Sequence, residues 1–436
     1  MKSTTTAVAI LLASTAFAAI PAAAQSNYGA QSAPQQPIPE ASQQSDQAKP
    51  AAQAAQQSAT AIKTHVPKLS GASGKAIVAY QKAVTDNDAA GIPAALAAAQ
   101  AVAKSADDRY ALALIQLKAA ADSKNQAGIS SAIEAMLASG GAAEDEKFSL
   151  YYNLAESYDA QNQGARAMQA YQEALKLNAN SVEATAGLAE AMVSQGQAAQ
   201  GIALLQKGIS LQSAGGAKAP EAWYKRAVAI AYKAKLPQAM QASRDWLQAY
   251  PTSSGWHDAL AIYQNLASPD EGQTLDLMRL KRAAGVLSAG DYFTYGDIAV
   301  RKGYAGEAKA ILDQGFAKNE IKKSDPSFSQ LYTLASQKSQ GDKASLPAAP
   351  EASANARQTL NFGDAWYGYG DYDKAVAFDQ AALGKAEADP NLINLHLGMA
   401  LAMKGDKAGA AAALGKVGGA QAELAKYWLL YANTKA

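Results

Sequence analysis

From Leu150 to Asn180 the chain reads LYYNLAESYDAQNQGARAMQAYQEALKLNAN, and 34 residues further on the same kinds of residue return in the same slots. The first copy sets an aromatic at Tyr151, then Leu154-Ala155, Tyr158, Ala167, Tyr171 and Ala174. The second sets Leu188-Ala189, Met192, Gly196, Gly201, Leu205 and Gly208. A period of this length corresponds to two helices per unit. One such unit cannot bury its apolar face, so the pattern demands stacked neighbours. Small residues let two helix backbones approach closely, and large ones fill the gap between one hairpin and the next.

Alanine dominates the composition, the aromatics are mostly tyrosine, and the β-branched, Pro/Gly-punctuated pattern of a sheet protein is missing. The intrinsic preference is helical nearly throughout, and the fold class expected is all-α. Further copies centre on Trp223 with Ala227, Ala239 and the closing Pro251, and on Trp256, Leu260 and Tyr263. Another runs through Tyr292, Gly296, Gly303, Ala308 and Leu312. Near the end, Phe362-Gly363, Trp366, Gly370, Tyr372 and Ala375 form one copy, and Leu397-Gly398, Leu401, Gly405 and Ala410 the next.

This pattern resembles the tetratricopeptide repeat, well over residues 148 to 417 and weakly over 75 to 147. The resemblance implies an α-solenoid: a right-handed superhelix of helix hairpins whose first helices line a concave groove. Two departures stand out. The copy at Trp256 has Gly272 where the second-helix alanine belongs, with Pro269 at its turn, and the copy after Asp325 loses most of its second helix to a Pro/Ala stretch. The organisation expected is a weak repeat-like region at 61–147, an array at 148–342, a Pro/Ala-rich insertion at 343–356, and a C-terminal pair with a capping helix at 357–436.

Ahead of the repeats, residues 1–24 carry a cation at Lys2, an apolar run from Ala7 to Ile20 and the small-residue triplet Ala22-Ala23-Ala24, the pattern of a secretory signal peptide. Residues 25–60 are rich in Gln, Ser, Pro and Ala with almost no large apolar side chain, which predicts a disordered tether. No later segment supplies the apolar length that crosses a bilayer. The location expected is the periplasm, with full secretion as the alternative. Cysteine is absent, which removes disulfides, thiolate metal sites, a cysteine nucleophile and the lipid-attachment residue of a bacterial lipoprotein. With Lys2 removed, the 39 cations less one face 38 anions, so neither nucleic acid nor an anionic membrane is favoured as a partner.

The stretch NFGDAWYGYGDYDKAVAFDQAAL, 361–383, imitates several sites. Gly368 and Gly370 lack the third glycine of a dinucleotide loop, since Asp373 stands there. Asp371 and Asp373 begin like a calcium loop, but Val376 and Leu383 replace its glycine and glutamate. The repeat explains the stretch better: Gly370-Asp371-Tyr372 is the turn between two helices, Ala375 the small residue of the second, and Trp366 part of their packing. Around Lys75, Leu69 and Ala76 stand where a phosphate loop needs Gly and Ser or Thr. His65, His257 and His396 are too scattered for a zinc site or a triad. No enzyme activity, metal or cofactor is expected.

In tetratricopeptide arrays the second, fifth, ninth and twelfth positions of each first helix face the groove. Carried over, this rule selects Tyr152, Glu156 and Asp159, then Glu183 and Glu190, then Tyr224, His257, Phe293 and Asp297, and finally Asp364 and Tyr367. The charged ones are acidic, Arg357 being the exception. Acids favour first helical turns, which covers Glu183 but not Glu156, Glu190, Asp297 or Asp364. Acids beside aromatics suit a partner segment bearing Lys or Arg. The resemblance therefore implies a non-catalytic scaffold that binds a protein or peptide in its groove. Two alternatives are an assembly or export factor for envelope polysaccharide or secretion machinery, and a glycan-binding protein using aromatics such as Trp366 and Tyr367.

Overall fold

The computed structural model describes Ile62, residues 64–352 and residues 355–434. The signal peptide and the tether expected at 1–24 and 25–60 lie outside the described residues. What is described is helical, with no strand among the described residues, and it divides into two compact units that meet in sequence at Ala234 and Lys235.

The first unit is a run of helices α1 (Gly71–Thr85), α2 (Ile92–Val102), α3 (Ala106–Asp122), α4 (Gln126–Ala138), α5 (Glu144–Ala160), α6 (Gly164–Leu177), α7 (Val182–Ser194), α8 (Ala198–Ala214) and α9 (Glu221–Lys233). Each packs mainly on its sequence neighbours, as stacked hairpins must. The helix starts are written locally. Ser105 and Asp108 form a reciprocal capping box on α3, and the Asn125 and Ser181 side chains accept backbone N–H groups of α4 and α7. Asp108 serves α1 as well: it accepts from the Ser70 backbone N–H at 3.0 Å and from the Ser70 hydroxyl at 3.0 Å, so the residues before α1 are tied to the start of α3.

The repeat slots are the core. Leu154, Ala155, Tyr158, Ala167, Tyr171 and Ala174 are all buried, as are Leu188 and Leu205 of the following copy. Gly187 shows why a slot must be small: a Cβ there would run into the Tyr171 ring, so α6 and α7 approach only across a bare backbone.

The second unit contains α10 (Gln238–Ala249), α11 (Ser253–Ala267), α12 (Glu271–Ala284), α13 (Ala289–Arg301), α14 (Ala305–Ala317), α15 (Pro326–Lys338), the single turn α16 (Asp342–Ser345), α17 (Ala356–Gly368), α18 (Tyr372–Leu383), α19 (Pro390–Lys404), α20 (Lys407–Leu414) and α21 (Ala422–Thr434). The copy read from Trp223 to Pro251 is thus divided, its first helix in one unit and its second in the other. At the copy around Trp256, Pro269 sits in the α11–α12 connection, and Gly272 lies in the first turn of α12. After Asp325 the first helix forms and the second shrinks to α16.

Two features of this unit exceed a plain stack. First, α17 packs on α14, across the inserted α15, α16 and Pro/Ala stretch. The approach is close: a Cβ at Gly368 would strike the Glu307 side chain. The Pro/Ala stretch itself covers Trp366, whose indole N–H donates to the Pro347 carbonyl at 3.2 Å. Second, α21 covers the final hairpin and also reaches the unit's first helices. Tyr427 shares a hydrogen bond with Ser243 at 2.7 Å and meets Tyr263 edge to face, Arg244 pairs with Glu423 at 2.5 Å, and Tyr431 meets Trp256 edge to face. The unit therefore closes on itself, last helix against first.

Candidate functional site

The residues selected by the groove rule fall into three environments. In the first unit, Glu156 and Asp159 on α5 and Glu183 and Glu190 on α7 are half-buried. The first three act on two tyrosines: Tyr152 and Tyr171 meet edge to face at 5.9 Å, and Glu156 accepts a hydrogen bond from the Tyr171 hydroxyl. Burial, and then the charges of Glu156 and Glu183, push the Tyr152 phenol far up. Burial, with Glu156, Tyr152 and Asp159, does the same to Tyr171. Acids from two adjacent helices thus converge on one aromatic pair. Glu183 accepts from the Ser181 hydroxyl at 3.1 Å. Glu190 is held differently, in a two-pronged pair with Arg226 of α9 at 2.7 and 2.8 Å. Tyr224 is buried among the α9 core residues.

In the second unit, His257, Phe293 and Asp297 stand at the surface. His257 Nδ1 is 3.3 Å from Asp258, Phe293 packs edge to face on Phe328, and Asp297 pairs with Arg301. These contacts tie each of them to its own unit.

Asp364 and Tyr367 depart from the expectation of an open groove. Both are buried, because α12 and α19 lie across the inner face of α17 and bring their own charged side chains to it. Arg279 of α12 stands at the centre, 1% exposed. Its guanidinium forms a fork to Glu307 of α14 at 2.9 and 2.8 Å, reaches Asp364 at 2.9 Å and touches Asp276 at 3.3 Å. The rings of Tyr367 and Tyr304 lie 4.9 and 5.5 Å from it. Tyr295 donates to Glu307 at 2.6 Å and Tyr304 to Asp364 at 3.0 Å. His396 of α19 places Nε2 3.2 Å from Asp276 and Nδ1 2.9 Å from Asp364.

The electrostatics of this cluster follow from its seclusion. Burial works against the charge on Asp364, but His396, Arg279 and the Tyr304 hydroxyl hold its carboxyl well below the usual range. Burial likewise works against a charged His396, yet Asp364 and Asp276 push its imidazole well above the ordinary value. Asp379 of α18 lacks such support: burial, and then the charge of Asp364, drive its carboxyl well up. The remaining members, Arg279, Asp276, Glu307, Asp379 and His396, escaped the groove rule. One signal was available. Asp276 and Arg279 interrupt the apolar run of α12, and His396 that of α19, where a charge needs a buried partner.

Trp366 and Tyr367 offer no ring face to a sugar. They are 4% and 7% exposed, and the Lys374 ammonium sits 3.7 Å over the Trp366 ring. Among the described residues no three His, Asp or Glu side chains converge as metal ligands, and no helix is long and apolar enough to cross a membrane.

Residues 160–212, from the end of α5 through α8, match the tetratricopeptide-repeat family model. No curated protein matches the chain. Among solved structures, a tetratricopeptide repeat protein from Parabacteroides merdae is 12% identical, over 76% of this chain and all of that one, with a TM-score of 0.27. A chain of the Naa15/Naa10 complex bound to HypK-THB is 15% identical over 80% of this chain and 65% of that one, with a TM-score of 0.26. A chain of the APC/C hetero-tetramer Cut9-Hcn1 is 12% identical over 80% and 86%, with a TM-score of 0.16. At these scores the likenesses carry no argument about function. The described residues form an all-helical chain, and the tetratricopeptide-repeat match lies within α5 to α8.

Proposed function

We propose that this chain is an exported, non-catalytic scaffold, and that the α5–α7 face of its first unit holds a partner segment bearing Lys or Arg. The observation that carries the reading is Glu156 hydrogen-bonded to Tyr171 beside the edge-to-face Tyr152–Tyr171 pair, with Asp159 and Glu183 among the charges that raise these phenols. These half-buried carboxylates feel a lower effective dielectric than exposed ones, so a cation placed between α5 and α7 gains more there than on open surface. The preformed helices leave little to be ordered on binding beyond the partner itself.

The double variant Glu156→Gln/Glu183→Gln tests this reading in the full chain. Glutamine keeps an acceptor for the Tyr171 and Ser181 hydroxyls, so the fold is retained while two charges are lost. With a labelled 15-residue peptide of alternating lysine and alanine as probe, measured by fluorescence anisotropy, the expected loss of affinity is about 10-fold or more at low salt, with a shallower salt dependence. Unchanged affinity and unchanged salt slope would remove the face from consideration.

A further inference from the structure

The buried cluster of the second unit has a charge count that closes with His396 protonated and Asp379 neutral. Three carboxylates, Asp276, Glu307 and Asp364, face Arg279 and His396, with Arg282 beside Glu307 as the third cation. With all three carboxylates ionised, balance needs His396 as the imidazolium and leaves no counter-charge for Asp379. The geometry gives the same answer without any count. Nε2 of His396 hydrogen-bonds Asp276, a carboxylate that can only accept, and Nδ1 stands 2.9 Å from Asp364 as a charge contact outside hydrogen-bond alignment, a setting between two carboxylates that favours the protonated ring. The Oδ1 atom of Asp379 is buried with no hydrogen-bond partner, lodged against the bare backbone of Gly363. A charge there would be unpaired.

The other elements around His396 do not alter this. The ionisable groups of α21 are occupied elsewhere: Glu423 with Arg244 and Lys426, Tyr427 with Ser243, and Tyr431 against Trp256 and Trp428. Lys407 of α20 and Arg357 of α17 are exposed, while Lys374 and Asp373 of α18 are engaged with Trp366, Asp371 and Lys404.

We propose that this cluster is a two-proton lock: the second unit stays closed while His396 is doubly protonated and Asp379 is a neutral acid, and alkaline conditions loosen α18 from α17 and α19 from α12. The sign follows directly. Both groups hold their protons more tightly in the folded unit than in the unfolded chain. Stability from His396 is fully present below the unfolded value of about 6.5 and is lost as pH rises through the folded value. For Asp379 the loss begins above the unfolded carboxyl value of about 3.9 and continues to its folded value. Both effects run the same way across neutral and alkaline pH.

Denaturant unfolding of the full chain, followed by a signal from the second unit between pH 7 and 9, reads the number of protons retained. Each retained proton lowers the folding constant about 10-fold per pH unit, so two retained protons lower it about 100-fold. Asp379→Asn, which imitates the neutral acid, is expected to remove one of the two and leave a roughly 10-fold dependence. A flat wild-type profile, or an Asp379→Asn profile as steep as wild type, would overturn the lock. Nitrogen chemical shifts of the three histidines in the unmutated chain provide the second readout. An imidazolium at His396 at pH 8 is the expected result, and a neutral ring there is equally fatal to the proposal.

Discussion

Arg279→Met is expected to cost the second unit about 3–5 kcal/mol, a large share of the stability of an ordinary domain. Among the described residues the guanidinium is the only cation that touches Asp276, Glu307 and Asp364 together. Removing it leaves buried carboxylates from α12, α14 and α17 short of a counter-charge, with His396 still beside Asp276 and Asp364. Methionine fills most of the volume, so the loss measures charge and not a cavity. Arg279→Lys is expected to recover only part of it, because an ammonium cannot form the fork to Glu307 while also reaching Asp364. Denaturant titration gives the size of the loss, and hydrogen exchange gives its place: protection should fall across residues 235–434.

Trp428→Ala is the second large effect, about 3–5 kcal/mol from a fully buried indole at 0% exposure. Its ring packs edge to face on Tyr431, which in turn meets Trp256, so truncation opens the seam where the last helix of the unit rests on its first ones. The distinguishing result is spatial. Residues 238–267 should lose exchange protection together with α21, although they are far from it in sequence. If protection fell only in α19 to α21, that helix would be an ordinary cap on the last hairpin, and closure would contribute little.

Much of the architecture was legible because repeat slots are local. Leu154, Tyr158, Ala167, Tyr171 and Ala174 are all buried, and their spacing alone reports two packed helices. The turn at Gly370 was legible for the same reason: its φ is 75°, and the helices on either side begin and end around it. The buried cluster was not legible, because its partners are distant in the chain. Asp276 and His396 are 120 residues apart, and Arg279 and Asp364 are 85 apart. A positional rule places Asp364 and Tyr367 on the inner face of their repeat; it cannot report that α12 and α19 lie against that face. Glu190 illustrates a smaller version of the same problem, since its partner Arg226 belongs to the next hairpin.

The measurement that addresses the functional account most directly is a hydrogen-exchange footprint of the full chain with and without the lysine-alanine peptide, at low and at high salt. The account predicts added protection in α5 and α7, around residues 152–159 and 183–190, that fades as salt rises. Protection confined to the second unit, or none at any salt, would contradict it.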